Sequence, residues 1–238
     1  MKAHIRKFIR SIGFDVNRHT ISSSQVCRLA HVIRSHNIDL VFDVGANTGQ
    51  FAMSIKEIGY RGRIVSFEPL PDAHQLLSKV ARRAVNWTVH DRCALGDCNG
   101  RILINVARNS ASSSILQMLP LHSDAAPESI IISTEETPIY TLDSVAPQYL
   151  SLGDSILIKI DTQGFEWQVL DGASEILKRA NGVLVELSLV PLYDGQRLWK
   201  DIIERLESEG FELWCLQQGF TDPRNGRTLQ LDGIFFRK

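Results

Sequence analysis

The chain has 238 residues, 44% hydrophobic and 22% charged, with a formal net charge of −1. That length suits one large domain, and the near-neutral balance excludes a global pull toward nucleic acid or an anionic membrane. Cys27, Cys93, Cys98 and Cys215 are scattered without the further Cys or His partners of a zinc site, so they read as reduced thiols of a cytoplasmic protein.

The opening stretch, MKAHIRKFIRSIGF, sets Ile5, Phe8, Ile9 and Ile12 at helical spacing, interrupted by Arg6, Lys7 and Arg10. Such a stretch is not a secretory apolar run, and no segment approaches the roughly 20 apolar residues of a spanning helix. A surface helix packed on the domain is expected; the alternative is peripheral contact with the inner membrane face through this basic, amphipathic helix. Ser22–Ser24 then precede Val26, Leu29, Ala30 and Ile33 at helical spacing, with the serines as capping candidates. Residues 1–37 thus form an expected N-terminal helical extension.

LVFDV begins a run of alternating elements. A helix with Phe51, Ala52, Ile55 and Ile58 follows, then the strand RIVSFEP, a helix with Leu76, Leu77 and Val80, and the strand NWTVHD. This alternation predicts a parallel sheet covered on both faces. Residues 101–145 differ: strand RILINVA, polar loop SASSSILQMLPLHSDAAPES and strand TPIYTLDSV read as an insertion covering the active-site end, too short for its own core. Alternation resumes with SILIKID, a helix over FEWQVLDGASEILKRA, the strand GVLVELS and a helix with Leu198, Ile202, Ile203 and Leu206. FELWCL and GIFFRK, joined through TDPRNGRT, close the chain as an antiparallel hairpin. The expected fold is α/β, a doubly wound sheet in a single domain over residues 1–238.

The LVFDVGANTGQF stretch carries the first chemical signal. A strand ending in Asp43 and a turn with Gly45, Asn47 and Gly49 place main-chain N–H groups at the carboxyl end of the sheet, where such folds bind ligands. Gly45 and Gly49 would admit a ligand where a Cβ would clash; the plainer alternative is turn geometry alone. Glu68 follows Asp43 by 25 residues, at the end of the next strand, where an acid can accept both ribose hydroxyls of an adenosine. The pyrophosphate-cradling G-x-G-x-x-G is missing. Asp43 would repel phosphates but suits a cationic ligand such as S-adenosylmethionine.

Taken with SFEPLPDAHQLL, CALGD, SSSIL, YTLD and IKIDTQGFEWQVLDGA in that order, the chain resembles the FkbM family of S-adenosylmethionine-dependent O-methyltransferases from about Leu40 to Arg237. Asp43–Gly49 resembles the family's D-V-G-A-N-x-G, Phe67–Pro71 its F-E-P-x-P, and Lys159, Ile160, Asp161, Gly164 and Glu166 its K-I-D-x-E-G-x-E. Gln163 stands where an acid is more usual. The resemblance implies a Rossmann-like sheet of order 3-2-1-4-5-7-6 with an antiparallel last strand. It also implies S-adenosylmethionine held by Asp43, Gly45, Asn47, Gly49, Phe51, Glu68, Pro69, Ala94 and Asp161. The acceptor is left open among a hydroxyl-bearing small molecule, a sugar and a glycolipid.

Transfer to a hydroxyl needs a group to take its proton. The candidates are Asp161 at a strand end, Glu166 at a helix start, and Glu186 in an apolar strand, where a buried acid needs partners or a shifted pKa. Glu166 has the alternative of capping its helix. His122 and Ser112–Ser114 lie in the covering loop, His122 more simply as a solvated side chain. Lys159 could reach substrate, pair with Glu186 or extend to a polar edge. A divalent ion on Asp161 is the less favoured reading, since Gln163 brings no charge. Two other functions compete: a nicotinamide-dependent dehydrogenase, disfavoured by the missing third glycine, and a non-catalytic S-adenosylmethionine-binding module. Without a basic stripe, no nucleic-acid partner is expected. Oligomeric state is not legible.

Overall fold

The computed structural model describes residues 2–14 and 20–237. Helix α1 (Lys2–Ser11) and helix α2 (Gln25–Ser35) precede the sheet. Ser24 caps α2, its Oγ accepting from the Cys27 N–H at 3.3 Å. Leu29, Ala30, Val32 and Ile33 bury the inner face of α2. The α1 region departs from the expected packed helix: Phe8 is 66% exposed and Ile12 55%. The Ile5 and Arg6 side chains of that expected face lie outside the described residues. Among the described residues, no helix is long and apolar enough to cross a membrane.

The alternating run follows as β1 (Leu40–Val44), α3 (Gln50–Glu57), β2 (Arg63–Phe67), α4 (Pro71–Ala81) and β3 (Trp87–Val89). Proline in the first turn and Asp72 beside it start α4, where a missing N–H costs nothing and a negative charge is favoured. Next come β4 (Ala94–Leu95), β5 (Gly100–Ala107), α5 (Pro120–Ala125), β6 (Ile131–Tyr140) and α6 (Leu142–Val145). The chain ends with β7 (Ile156–Ile160), α7 (Glu166–Asp171), α8 (Ser174–Arg179), β8 (Ala180–Ser188), α9 (Trp199–Ser208), β9 (Phe211–Gln218) and β10 (Gln230–Arg237).

Seven strands form one sheet in the order β3-β2-β1-β7-β8-β10-β9. Counted within that sheet, the order is 3-2-1-4-5-7-6, and β10 runs antiparallel to both its neighbours, as the resemblance implied. β1 is buried on both faces: Leu40, Phe42 and Val44 enter one core cluster and Val41 the other, following the two-residue period of a strand. The chain leaves β1 for β2 on one side and later adds β7 on the other. That switch point opens a crevice at the carboxyl ends of β1 and β7.

Two details differ from expectation. The single helix expected over FEWQVLDGASEILKRA is two, α7 and α8, broken near Gly172. A Cβ on Gly172 would sit 1.8 Å from the Gly96 carbonyl oxygen, so the break lets the chain after β4 pass. The covering insertion is also more than a polar loop between strands. β4, β6 and β5 form a second, three-stranded sheet. Ile104 and Ile139 of that sheet pack with Leu70, Ala73 and Phe165 of the main fold.

Candidate functional site

Asp43 sits in register with Ser66 of β2 and Lys159 of β7. Its carboxylate is fully buried and does not face the crevice as expected. Ser66 Oγ donates to Oδ2 at 3.0 Å, and Trp87 Nε1 donates to Ser66 Oγ at 3.0 Å. Lys159 Nζ lies 3.3 Å from Oδ1 as a charge contact rather than an aligned hydrogen bond. Burial pushes Asp43 above the usual carboxylate range, against the pull of Lys159.

Lys159 neither extends to solvent nor meets Glu186. Its ammonium is buried, donates to the carbonyls of Val44 at 3.3 Å and Gly45 at 2.9 Å, and lies 3.5 Å from Asp161 Oδ2. Burial alone disfavours that charge, but Asp161 and Asp43 outweigh it and hold Lys159 above its ordinary value. Asp43 thus acts on the crevice through Lys159.

The loop glycines permit close approach within the chain. Gly45 has φ +72°, and a Cβ there would stand 1.9 Å from the Asp161 carbonyl oxygen. At Gly49, with φ +95°, a Cβ would meet the Trp87 ring at 2.8 Å. At both positions the space of a Cβ is taken by the chain itself, the turn geometry given as the plainer alternative. Asn47 completes the turn at φ 47°, a conformation asparagine tolerates.

The crevice holds a cavity of about 220 Å³. Gly45, Asn47, Phe51, Glu68, Pro69 and Ala94 line it, with Asp161 on the β7 side. Glu68 is 3% exposed, its Oε2 accepting from the Asn47 N–H at 2.7 Å and its Oε1 from the Leu70 N–H at 2.9 Å. Each oxygen keeps a further lone pair for a hydroxyl. Burial pushes this carboxyl up to about 7, opposed by the two N–H donors. Leu70, Leu95, Ile104 and Ile115 add an apolar wall. A buried acid beside an apolar slot is a donor set that fits a nucleoside, with room for a base in the slot and acceptors for its hydroxyls on the acid.

Of the acids proposed from sequence to take the acceptor's proton, Asp161 alone lines the cavity, its side chain 40% exposed. Glu166 closes its own turn: Oε1 accepts from Thr162 N–H at 2.9 Å and Gly164 N–H at 3.1 Å. Burial raises Glu166 to about 7 against those bonds. Glu186 lies one residue further back, joined to Asp161 through Gln163. Gln163 Nε2 donates to Asp161 Oδ1 at 2.9 Å and to Glu186 Oε2 at 3.0 Å. Glu186 Oε2 also accepts from Gln230 Nε2 at 2.6 Å. Burial, then Asp161, Glu166 and Asp232, push Glu186 well above its usual range. Asp232 is its cross-strand partner, raised to about 6 by burial and Asp161. Among the described residues, no three His, Cys, Asp or Glu side chains converge as a metal site.

The insertion closes over these groups. Asn47 Nδ2 donates to Ser110 Oγ at 3.1 Å, and Ser114 Oγ donates to the Gln163 carbonyl at 2.6 Å. His122 is buried against Tyr193 and Phe220, with burial lowering it to about 4, rather than solvated. Gln163, Tyr193 and Asp232 are the site-shaping residues that no spacing in the sequence marks. Only the odd amide in an acid's place pointed to Gln163.

The Methyltransferase FkbM domain model matches residues 43–213. The hexuronic acid methyltransferase AglP of Haloferax volcanii is 25% identical over 149 residues, 63% of this chain and 56% of that protein. Among solved structures, methyltransferase FkbM from Methylobacillus flagellatus superposes with a TM-score of 0.48 at 16% identity, covering 83% of this chain and 44% of that one. Magnesium protoporphyrin IX methyltransferase from Synechocystis gives 0.48 at 11% identity, covering 100% and 97%. The chain spans about half the length of AglP and of the Methylobacillus protein.

Proposed function

The chain belongs to the FkbM methyltransferase family, and from that premise we propose that it moves a methyl group from S-adenosylmethionine to a sugar hydroxyl, free or in a glycolipid. When bound, the cofactor supplies an electrophilic methyl on a sulfonium. Glu68 would accept the ribose hydroxyls, the apolar wall would hold the base, and the Gly45–Asn47 main chain would take the amino-acid end. Asp161 would accept the proton of the acceptor hydroxyl as its oxygen is alkylated, a role worth about 10²–10⁴-fold in rate.

The observation that carries this reading is Asp161 itself, a part-exposed carboxylate on the cavity wall, held by Lys159 and Gln163, which line the same cavity. AglP, by its name, acts on a hexuronic acid, which supports a sugar as acceptor. The Asp161 carboxylate on the cavity wall favours a neutral hydroxyl over an acceptor carboxylate, which it would repel. The test is transfer of labelled methyl from S-adenosylmethionine to sugars and to a glycolipid extract. Alkali-stable label in a sugar is the expected result. Alkali-labile label would move the reaction to a carboxylate, and cofactor binding without label in any acceptor would leave a non-catalytic module.

A further inference from the structure

We infer that Gln163 is a positioning residue whose carboxamide, aimed by Tyr193, ties Asp161 to Glu186 and so sets Asp161 on the cavity wall. The inference rests on Asp161 as the proton acceptor proposed above. Every polar atom of the side chain is engaged: Nε2 donates to Asp161 Oδ1 and Glu186 Oε2, and Oε1 faces the Tyr193 hydroxyl at 3.0 Å, whose one proton it shares with the Ser112 carbonyl at 3.0 Å. A flipped amide would turn its oxygen on two carboxylate oxygens, so these partners fix its orientation. The backbone is fixed as well. Gln163 has φ 57°, and its carbonyl takes the Ser114 hydroxyl from the insertion. One residue therefore links closure of the insertion to the place of the acid.

The amide also answers an electrostatic problem. Asp161 and Glu186 approach one nitrogen from two strands, and like charges that close disfavour joint ionisation. The groups around them are Lys159 and Asp43 beneath, Glu166 at the start of α7, Asp232 on β10 and Tyr193 on the loop after β8. Lys159 is the one cation among these, and it already meets Asp43 and Asp161. Gln163 thus joins two acids by donating two hydrogen bonds without adding a charge.

Gln163→Glu turns the double donor into a third carboxyl, which must be protonated to donate even one hydrogen bond. Its deprotonation as pH rises would push Asp161 out of place, and a misplacement of about 1 Å costs about 100-fold. Gln163→Asn keeps a neutral amide and tolerates the left-handed backbone, but is one methylene too short to span both acids.

The experiment measures kcat and cofactor affinity from pH 6 to 9 for these variants and for Tyr193→Phe. Gln163→Glu is expected to lose about 10-fold at pH 6 and about 100-fold or more at pH 9, with cofactor affinity within about threefold. Gln163→Asn should lose about 100-fold at every pH. A Gln163→Glu profile parallel to that of the unmodified protein overturns the inference. Should Gln163→Glu fail to fold, Tyr193→Phe decides, since it removes the hydroxyl that the amide shares with the Ser112 carbonyl: a lowered kcat together with a shifted Glu186 titration supports the role, and either one unchanged overturns it. Carboxyl ¹³C titration gives a readout free of turnover. Gln163→Asn must shift the titration of Glu186, and an unchanged titration overturns the inference. If the unmodified protein methylates no acceptor, the Asp161 reading fails, while the titration still judges Gln163.

Discussion

A Cβ on Gly45 would stand 1.9 Å from the carbonyl oxygen of Asp161. The turn after β1 and the turn after β7 therefore touch through main chain, and the glycine loop and the acid share one support. Gly45→Ala must displace that contact and hold alanine at φ +72°. Overpacking and backbone strain together should cost about 3 kcal/mol or more. Chemical denaturation measures it; a loss below about 1 kcal/mol would mean the two turns separate freely.

Glu68 ties cofactor affinity to pH. Its carboxyl is raised to about 7 by burial, and ribose hydroxyls donate best to the ionised form. Affinity for S-adenosylhomocysteine should therefore strengthen as pH rises through 7. Between pH 6 and pH 8 the gain should be about 10-fold, one pKa unit corresponding to one decade. Calorimetry at both values checks this, and Glu68→Gln should bind more weakly at pH 8 with the pH dependence gone. An unmodified protein with pH-independent affinity would remove Glu68 from the hydroxyl-accepting role.

The buried pair Lys159 and Asp43 calls for a double-mutant cycle. Lys159→Met strands the Asp43 carboxylate in the interior, which should cost about 3–5 kcal/mol. Adding Asp43→Asn removes the stranded charge and should recover much of the loss. Additive losses in the two single variants would show that the pair is not coupled.

Asp232 gives stability a pH slope of known sign. Its folded-state pKa is raised to about 6, so the stability it contributes is present below its unfolded value of about 3.9 and is lost as pH rises through 6. Asp232→Asn removes that loss. Relative to the unmodified protein, it should be more stable at pH 7 than at pH 4 by about 1 kcal/mol, the partly exposed side chain being screened by solvent. Urea unfolding at the two values reads the difference, and an equal effect at both would contradict it.

The frame of the molecule was legible because its signals are local. LVFDV, RIVSF and SILIKI are short apolar runs bounded by turn residues, and the glycines after Asp43 announce a strand-to-helix turn. Contacts made across the sheet were less legible. Asp43 stands at the head of the motif, yet its partners Ser66 and Lys159, and Trp87 behind Ser66, come from three other places in the chain. The role of the glycines went the same way, since only the fold brings Asp161 and Trp87 against them. Glu186 was marked by its apolar surroundings, but nothing nearby announces that Gln163 and Gln230 would satisfy it. Gly172 looked like an ordinary residue inside a helical pattern because Gly96, whose carbonyl leaves no room for a Cβ there, is remote in sequence.

The most direct measurement is the turnover and cofactor affinity of Asp161→Asn. Asparagine keeps the shape and the contact with Gln163 but cannot take a proton. Turnover should fall by about 100-fold or more, as for loss of a general base, while affinity for S-adenosylmethionine changes by less than about threefold, well under 1 kcal/mol. Turnover equal to that of the unmodified protein would show that the proton leaves by another route and that Asp161 is not its acceptor.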